Sequence, residues 1–146
     1  MDSNVEKKEK FPSTSKKLVS VLFRIKGALG GTVITISIAP TEHNNYIGVE
    51  FANHLLIPKS NIIEGLDFWD NKQYEINDLQ LNIGYCTFVS KFIIRSLLSN
   101  GGAIILGSPW METRGTFTLN TKKKFLTFFY KKKKITLQDL SVGSCT

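Results

Sequence analysis

Few residues in this chain of 146 are spaced for chemistry. The two histidines, His43 and His54, stand eleven positions apart and share no spacing with Cys86 or Cys145 that would suit zinc. Neither a metal nor a cofactor is expected. With no apolar signal core at the polar N-terminus, the two cysteines read as reduced thiols, and the expected location is cytoplasmic or nuclear, not secreted. Ser108 and Ser144 form no nucleophile arrangement with the histidines. Gly27, Gly30 and Gly31 are not followed by Gly-Lys-Ser/Thr, so they make no phosphate loop. The apolar runs, such as Ala103 to Leu106, are too short to cross a bilayer, and neither a membrane nor a small-molecule substrate is expected as a partner.

Lysine is the conspicuous residue type. The net charge is +7, and two runs carry much of it: Lys122, Lys123 and Lys124, then Lys131, Lys132, Lys133 and Lys134. Such runs attract nucleic acid or an acidic surface. They also serve as solvated turns that keep a sheet edge from pairing, the simpler reading with no helix or zinc module beside them. Phe125, Phe128, Phe129 and Tyr130 interleave with the lysines. Strand alternation turns only half of these aromatics towards any exposed patch.

The elements that must position these groups are mostly strands. Hydrophobic content of 42% against 21% charged residues suits one globular domain. Residues 1–15 read as a disordered polar tail, 16–140 as the domain and 141–146 as a flexible C-terminal tail. Val19, Val21, Phe23 and Ile25 alternate. Gly30-Gly31 then turns the chain into the β-branched run Thr32 to Ile38, which makes a hairpin. Ile47, Phe51 and Leu55 are spaced for one face of a short helix, capped at Asn44 or Asn45 and closed by Pro58. Leu66 to Trp69, Gln73 to Ile83 and Cys86 to Ile94 read as strands. Gly101-Gly102 breaks the chain before a buried strand, Ala103 to Leu106. Pro109 to Glu112 suits one helical turn. Thr116 to Leu119, Phe125 to Tyr130 and Ile135 to Leu137 complete an all-β domain with one or two short helices.

One segment carries a resemblance. Gly101-Gly102-Ala103-Ile104-Ile105-Leu106-Gly107-Ser108-Pro109-Trp110-Met111-Glu112 resembles the Ile-Leu-Gly-x-x-Trp signature of retropepsin-like proteases. It is most similar to those of gypsy-type long-terminal-repeat retroelements, especially of plants. Phe23 to Gly27, Thr32 to Ile38, Asn45-Tyr46-Ile47 and Glu50-Phe51-Ala52 fit the same pattern, so the resemblance covers roughly Leu18 to Leu140. It implies a retropepsin-like half-barrel. Ile105 and Leu106 would form a buried strand behind the site, Gly107 a tight turn into a helix, and Trp110 a core filler.

The resemblance also implies a departure. Such proteases act as dimers, each subunit supplying one aspartate from an Asp-Ser/Thr-Gly loop. Aligned back from Asn45-Tyr46-Ile47, that loop falls on Ala39, Pro40 and Thr41. Ala39 takes the aspartate's place and Thr41 the glycine's. Glu42 sits three residues too far along, and Asp67, Asp70 and Asp78 lack a following Ser/Thr-Gly. The region Asp67 to Asp78, where the family has a glycine-bearing flap, holds no glycine. The expectation is a catalytically inactive chain that acts by binding. Its partner would be a homodimer mate or a related active chain, which it would inhibit. A basic nucleic-acid-binding module and a residual aspartic endopeptidase are the other two expectations.

Overall fold

Turn chemistry sets the first hairpin. Gly30 and Gly31 both take positive φ, 58° and 84°, a two-residue loop whose twist suits antiparallel strands. It joins β2 (Phe23–Leu29) to β3 (Thr32–Ile38) in continuous register, from Phe23 opposite Ile38 to Leu29 opposite Thr32. The structure is a computed structural model, describing Phe11 and residues 16–17, 20–55, 57–67, 69–97 and 103–142.

β3 runs parallel to β8 (Ile104–Leu106). β4 (Tyr46–Gly48) is wedged between β8, to which it is antiparallel, and β7 (Cys86–Leu97), to which it is parallel. β7 forms a long hairpin with β6 (Lys72–Ile83), broken by a bulge between Ile76 and Leu79. β6 touches β2 through Ala28 and Asn82. The order β7-β4-β8-β3-β2-β6 thus returns to β7 and closes a barrel. β1 (Lys16–Lys17) lies beside β7, and β5 (Ile62–Leu66) beside β6. Ile36, Ile38, Ile47, Ile104 and Leu106, all fully buried, fill its interior. α1 (Val49–Ala52) and α2 (Ser108–Glu112) are single turns of helix. Among the described residues no helix is long and apolar enough to cross a membrane.

A second sheet follows α2. β9 (Phe117–Asn120), β10 (Phe125–Tyr130) and β11 (Lys133–Gln138) are antiparallel. Trp110 of α2 meets Phe88 and Phe128 edge-on, with ring centroids 5.5 and 5.8 Å away. The Arg114 guanidinium lies 4.2 Å from the Phe88 centroid, a cation–π contact strengthened by burial. At one end the Tyr130 hydroxyl accepts from the Thr87 amide at 3.1 Å. At the other, the Asp139 carboxylate accepts from the Arg24 amide at 2.7 Å and from the Ser141 amide and hydroxyl.

Several expectations give way to these contacts. The helix read from Ile47 to Leu55 shrinks to α1, because Ile47 belongs to a strand paired with Ile94 and Ile104. Neither Asn44 nor Asn45 caps it: Gly48 holds that position and provides no side-chain bond. The strand placed at Leu66 to Trp69 lies earlier, at β5. Within the polar tail, Phe11 is buried; its amide donates to Asn53 Oδ1 at 2.7 Å and its ring meets Tyr74 edge-on. The rest of 1–15 apart from Phe11, the Gly101-Gly102 break, Ser144 and Cys145 lie outside the described residues.

Two predictions follow from these joints. Burial raises the Asp139 pKa, but the Ser141 and Arg24 hydrogen bonds and the nearby Lys124 charge outweigh it and leave the group below its ordinary 3.8. A depressed folded-state pKa stabilises above the unfolded value and is lost as pH falls through the folded one. Asp139→Asn should therefore cost about 1–2 kcal/mol near neutral pH, and urea titrations should show the gap closing below about pH 4. The β10–β11 loop consists of Lys131 and Lys132, with φ of 49° and 68°, in a conformation that favours Asn-Gly. Lys131→Asn with Lys132→Gly should raise stability by about 1 kcal/mol, read as a higher urea midpoint at unchanged slope.

Candidate functional site

The loop between β3 and β4 begins with a tight turn, in which the Glu42 amide donates to the Ala39 carbonyl at 3.0 Å across Pro40 and Thr41. Proline at the second position of such a turn sets its φ in advance. The Ala39 amide donates to the Leu106 carbonyl at 2.9 Å, extending the β3–β8 ladder by one residue. Ala39 is fully buried, in a small apolar cluster with Tyr46, Ile93 and Ile105 that is separate from the main core. Val21 and Leu97 pack against that cluster. Thr41 is exposed and Pro40 half-buried.

Gly107 locks this loop in place. A Cβ there would lie 2.4 Å from the Asn44 carbonyl oxygen and 2.6 Å from that of Glu42. Its φ of −101° is open to any residue, so glycine is required by close approach and not by a special turn. Gly107 stands directly before α2, where a tight turn into a helix was expected, and the close approach is what calls for glycine there. Its amide donates to Asn45 Oδ1 at 2.9 Å, and the Ser108 amide donates to the Glu42 carbonyl at 2.7 Å. The Asn45 carbonyl accepts from the Ile93 amide at 2.9 Å. Asn45 is 4% exposed and joins three segments. The sequence offered one signal for this role, a polar residue set directly before the apolar pair Tyr46-Ile47.

A cleft of about 640 Å³ opens beside the loop. Tyr46, Ile93 and Arg95 line it from the barrel, and Asp67, Trp69 and Asn71 from the tip of the β5–β6 hairpin. That hairpin forms without glycine in its loop. Asp70 takes φ of 62°, and the Asp67 carboxylate accepts from the Trp69 and Asn71 amides at 2.8 and 2.9 Å. The Asn71 hydrogen bond is the chief reason that the Asp67 pKa is lowered. Glu75, the other carboxylate lining the cleft, sits 3.5 Å from Lys91. Trp69 is 76% exposed at the hairpin tip.

The remaining residues singled out in the sequence lie elsewhere. Ile105 belongs to the Ala39 cluster, while Leu106 and Trp110 are in the main core. Lys122, Lys123, Lys124, Lys131, Lys132, Lys133 and Lys134 are all exposed on the β9–β11 sheet. Among the described residues no group of three His, Cys, Asp or Glu side chains could hold a metal ion.

A barrel closed by β6 and β7, with a loop threaded against a buried Ile-Leu-Gly strand and a hairpin beside it, is the fold of retropepsin-like aspartic protease domains. Solved structures agree. The retroviral protease-like domain of Ddi1 from Leishmania major aligns with 88% of this chain and 99% of its own, at 12% identity and a TM-score of 0.61. A retropepsin-like aspartic protease from Rickettsia conorii aligns with 79% of this chain and 80% of its own, at 18% identity and a TM-score of 0.52. No protein-family model matches the sequence, and no curated protein matches it.

The Gly107 contact predicts its own sensitivity. Gly107→Ala drives a methyl group into two backbone carbonyls and should cost about 3 kcal/mol. Asn45→Ala leaves the Gly107 amide buried without its acceptor and should cost about 1–3 kcal/mol. Because both act on one contact, the double variant should lose less than the sum in chemical denaturation.

Proposed function

We propose that this chain is a catalytically inactive, retropepsin-like protein that acts by binding other chains, derived from a gypsy-type retroelement protease. The observation that carries this reading is Ala39, buried in an apolar cluster where the sequence resemblance aligns the catalytic aspartate. Aspartic proteolysis needs two carboxylates that share a proton and activate water between them. A methyl group offers neither function.

The cleft carboxylates do not suit the role. Asp67 is held by two backbone amides and its pKa is lowered, chiefly by the Asn71 bond. A proton-sharing pair needs one member raised. Glu75 is engaged with Lys91. Binding remains available through the fold itself. The partner is a second copy or an active relative whose single aspartate, opposite Ala39, would have no carboxylate with which to share its proton. Excess chain would then inhibit that relative.

Light scattering and a cleavage assay test this together. The expected result is a dimer, no pepstatin-sensitive peptide cleavage between about pH 3 and 7, and loss of a related protease's activity when this chain is in excess. Cleavage by the unmodified protein that disappears in Glu42→Gln or Asp67→Asn would sink the inactive reading. A strict monomer with no effect on active relatives would sink the pairing.

A further inference from the structure

The chain's positive charge sits on one small sheet. Residues 113–138 hold eight of the nineteen basic residues and none of the twelve acidic ones. The other 120 residues hold eleven basic and twelve acidic side chains, so they are close to neutral. None of the seven lysines from Lys122 to Lys134 forms a salt bridge with a described residue. Asp139, held beside Lys124, offsets part of the charge at one turn, while Lys131, Lys132, Lys133 and Lys134 have no ion-pair partner among the described residues.

Register separates the two faces of this sheet. Leu126 and Phe128 of β10 are buried against the barrel, so their neighbours Phe125, Thr127 and Phe129 point the other way. Residues directly opposite share a face. Thr127 therefore stands in a row with Thr118 and Thr136, and its hydroxyl oxygen is 3.3 Å from that of Thr136. Phe129 stands opposite Lys134 and is 61% exposed. Lysine-bearing turns close both ends of β10, at 121–124 and 131–132. The six residues of β10 set these turns roughly 20 Å apart. The outer face is thus a row of hydroxyl groups with Phe129 as its exposed aromatic platform, the half-buried Phe125 at the far end of β10, and cations at either end.

We infer that this face binds single-stranded nucleic acid. Its phosphates meet the two lysine turns, and an unstacked base lies on Phe129, since aromatic side chains accept any base face. The threonine row offers donors and acceptors to sugars and base edges. A second copy of this chain would bring like charge to like charge. A bilayer surface would favour an apolar tip, whereas the middle of this face is hydroxyl-lined. The proposal is independent of whether the retropepsin site is active.

Fluorescence anisotropy of the full chain with a labelled oligothymidine of about twenty nucleotides tests it, over a salt series. Binding should weaken steeply with salt. Lys131→Asn with Lys132→Gly suits the turn, so the fold is kept, and removing two phosphate contacts should shallow the log–log salt slope by about 1.4. Phe129→Ala should weaken binding roughly tenfold at unchanged slope. Circular dichroism would establish that both variants fold. The inference is overturned if the oligonucleotide is not bound at low salt, or if both variants bind it like the parent. It is equally overturned if Phe129→Ala is silent and inorganic polyphosphate competes as well as the oligonucleotide. Capture by phosphatidylserine vesicles without oligonucleotide binding also overturns it.

Discussion

The buried hydrogen bond from the Gly107 amide to the Asn45 side chain is the constraint on which the rest of the barrel depends. It joins the end of β8 to the loop that precedes β4. The Asn45 carbonyl then fixes β7 through Ile93. Three segments far apart in sequence acquire one relative position. The approach that allows the bond is so close that a single methyl at Gly107 would collide with the Asn44 and Glu42 carbonyls. A polar side chain in this setting costs free energy unless satisfied. Satisfied, it specifies one arrangement of β3, β4, β7 and β8 where apolar packing alone would tolerate several.

The β9–β11 sheet is tied to the barrel by different means. Trp110, Phe88 and Phe128 interlock edge to face, with the Arg114 guanidinium laid against them. Polar contacts at the sheet's two ends, Tyr130 with Thr87 and Asp139 with Arg24, fix its orientation. The inner face is thereby spent on packing, and the charge is left on the outer face and turns. Lys131 and Lys132 sit where the backbone favours asparagine and glycine. Non-glycine residues in left-handed conformations are disfavoured, so local backbone preference does not explain these lysines, and their charge is the property that sets them apart.

Much of this was legible in the sequence, for local reasons. Gly30-Gly31 between an alternating stretch and the β-branched run Thr32 to Ile38 specified the first hairpin, and the aromatic run before Lys131 specified β10. Ala103 to Leu106 read as a buried strand from its composition, and the strand runs from Ile104 to Leu106. The errors share one cause. Ile47, Phe51 and Leu55 have helical spacing, yet Ile47 pairs with Ile94 and Ile104, more than forty positions away. Tertiary pairing overrode the local period. Phe11 sits in a polar stretch, yet it joins the main core and contacts Asn53 and Tyr74, which its local sequence does not signal. The clamp at Asn45 needed a partner sixty-two residues along the chain. The alanine at position 39 was legible at once, but the cluster that surrounds it was not.

That cluster explains why the fold can persist without an aspartate in the loop. The contacts that hold the loop are the Ala39 amide to Leu106, the Glu42 amide to Ala39, the Ser108 amide to Glu42 and the Gly107 amide to Asn45. None involves the side chain at position 39. An ionised carboxylate there would face Tyr46, Ile93 and Ile105 and would suffer desolvation. Alanine has no such cost. An uncharged side chain at position 39 suits this apolar setting and leaves the loop's own bonds intact. In the reading proposed above, loss of chemistry and retention of fold are physically compatible outcomes. Under that reading the barrel is free to be kept for what its surfaces bind.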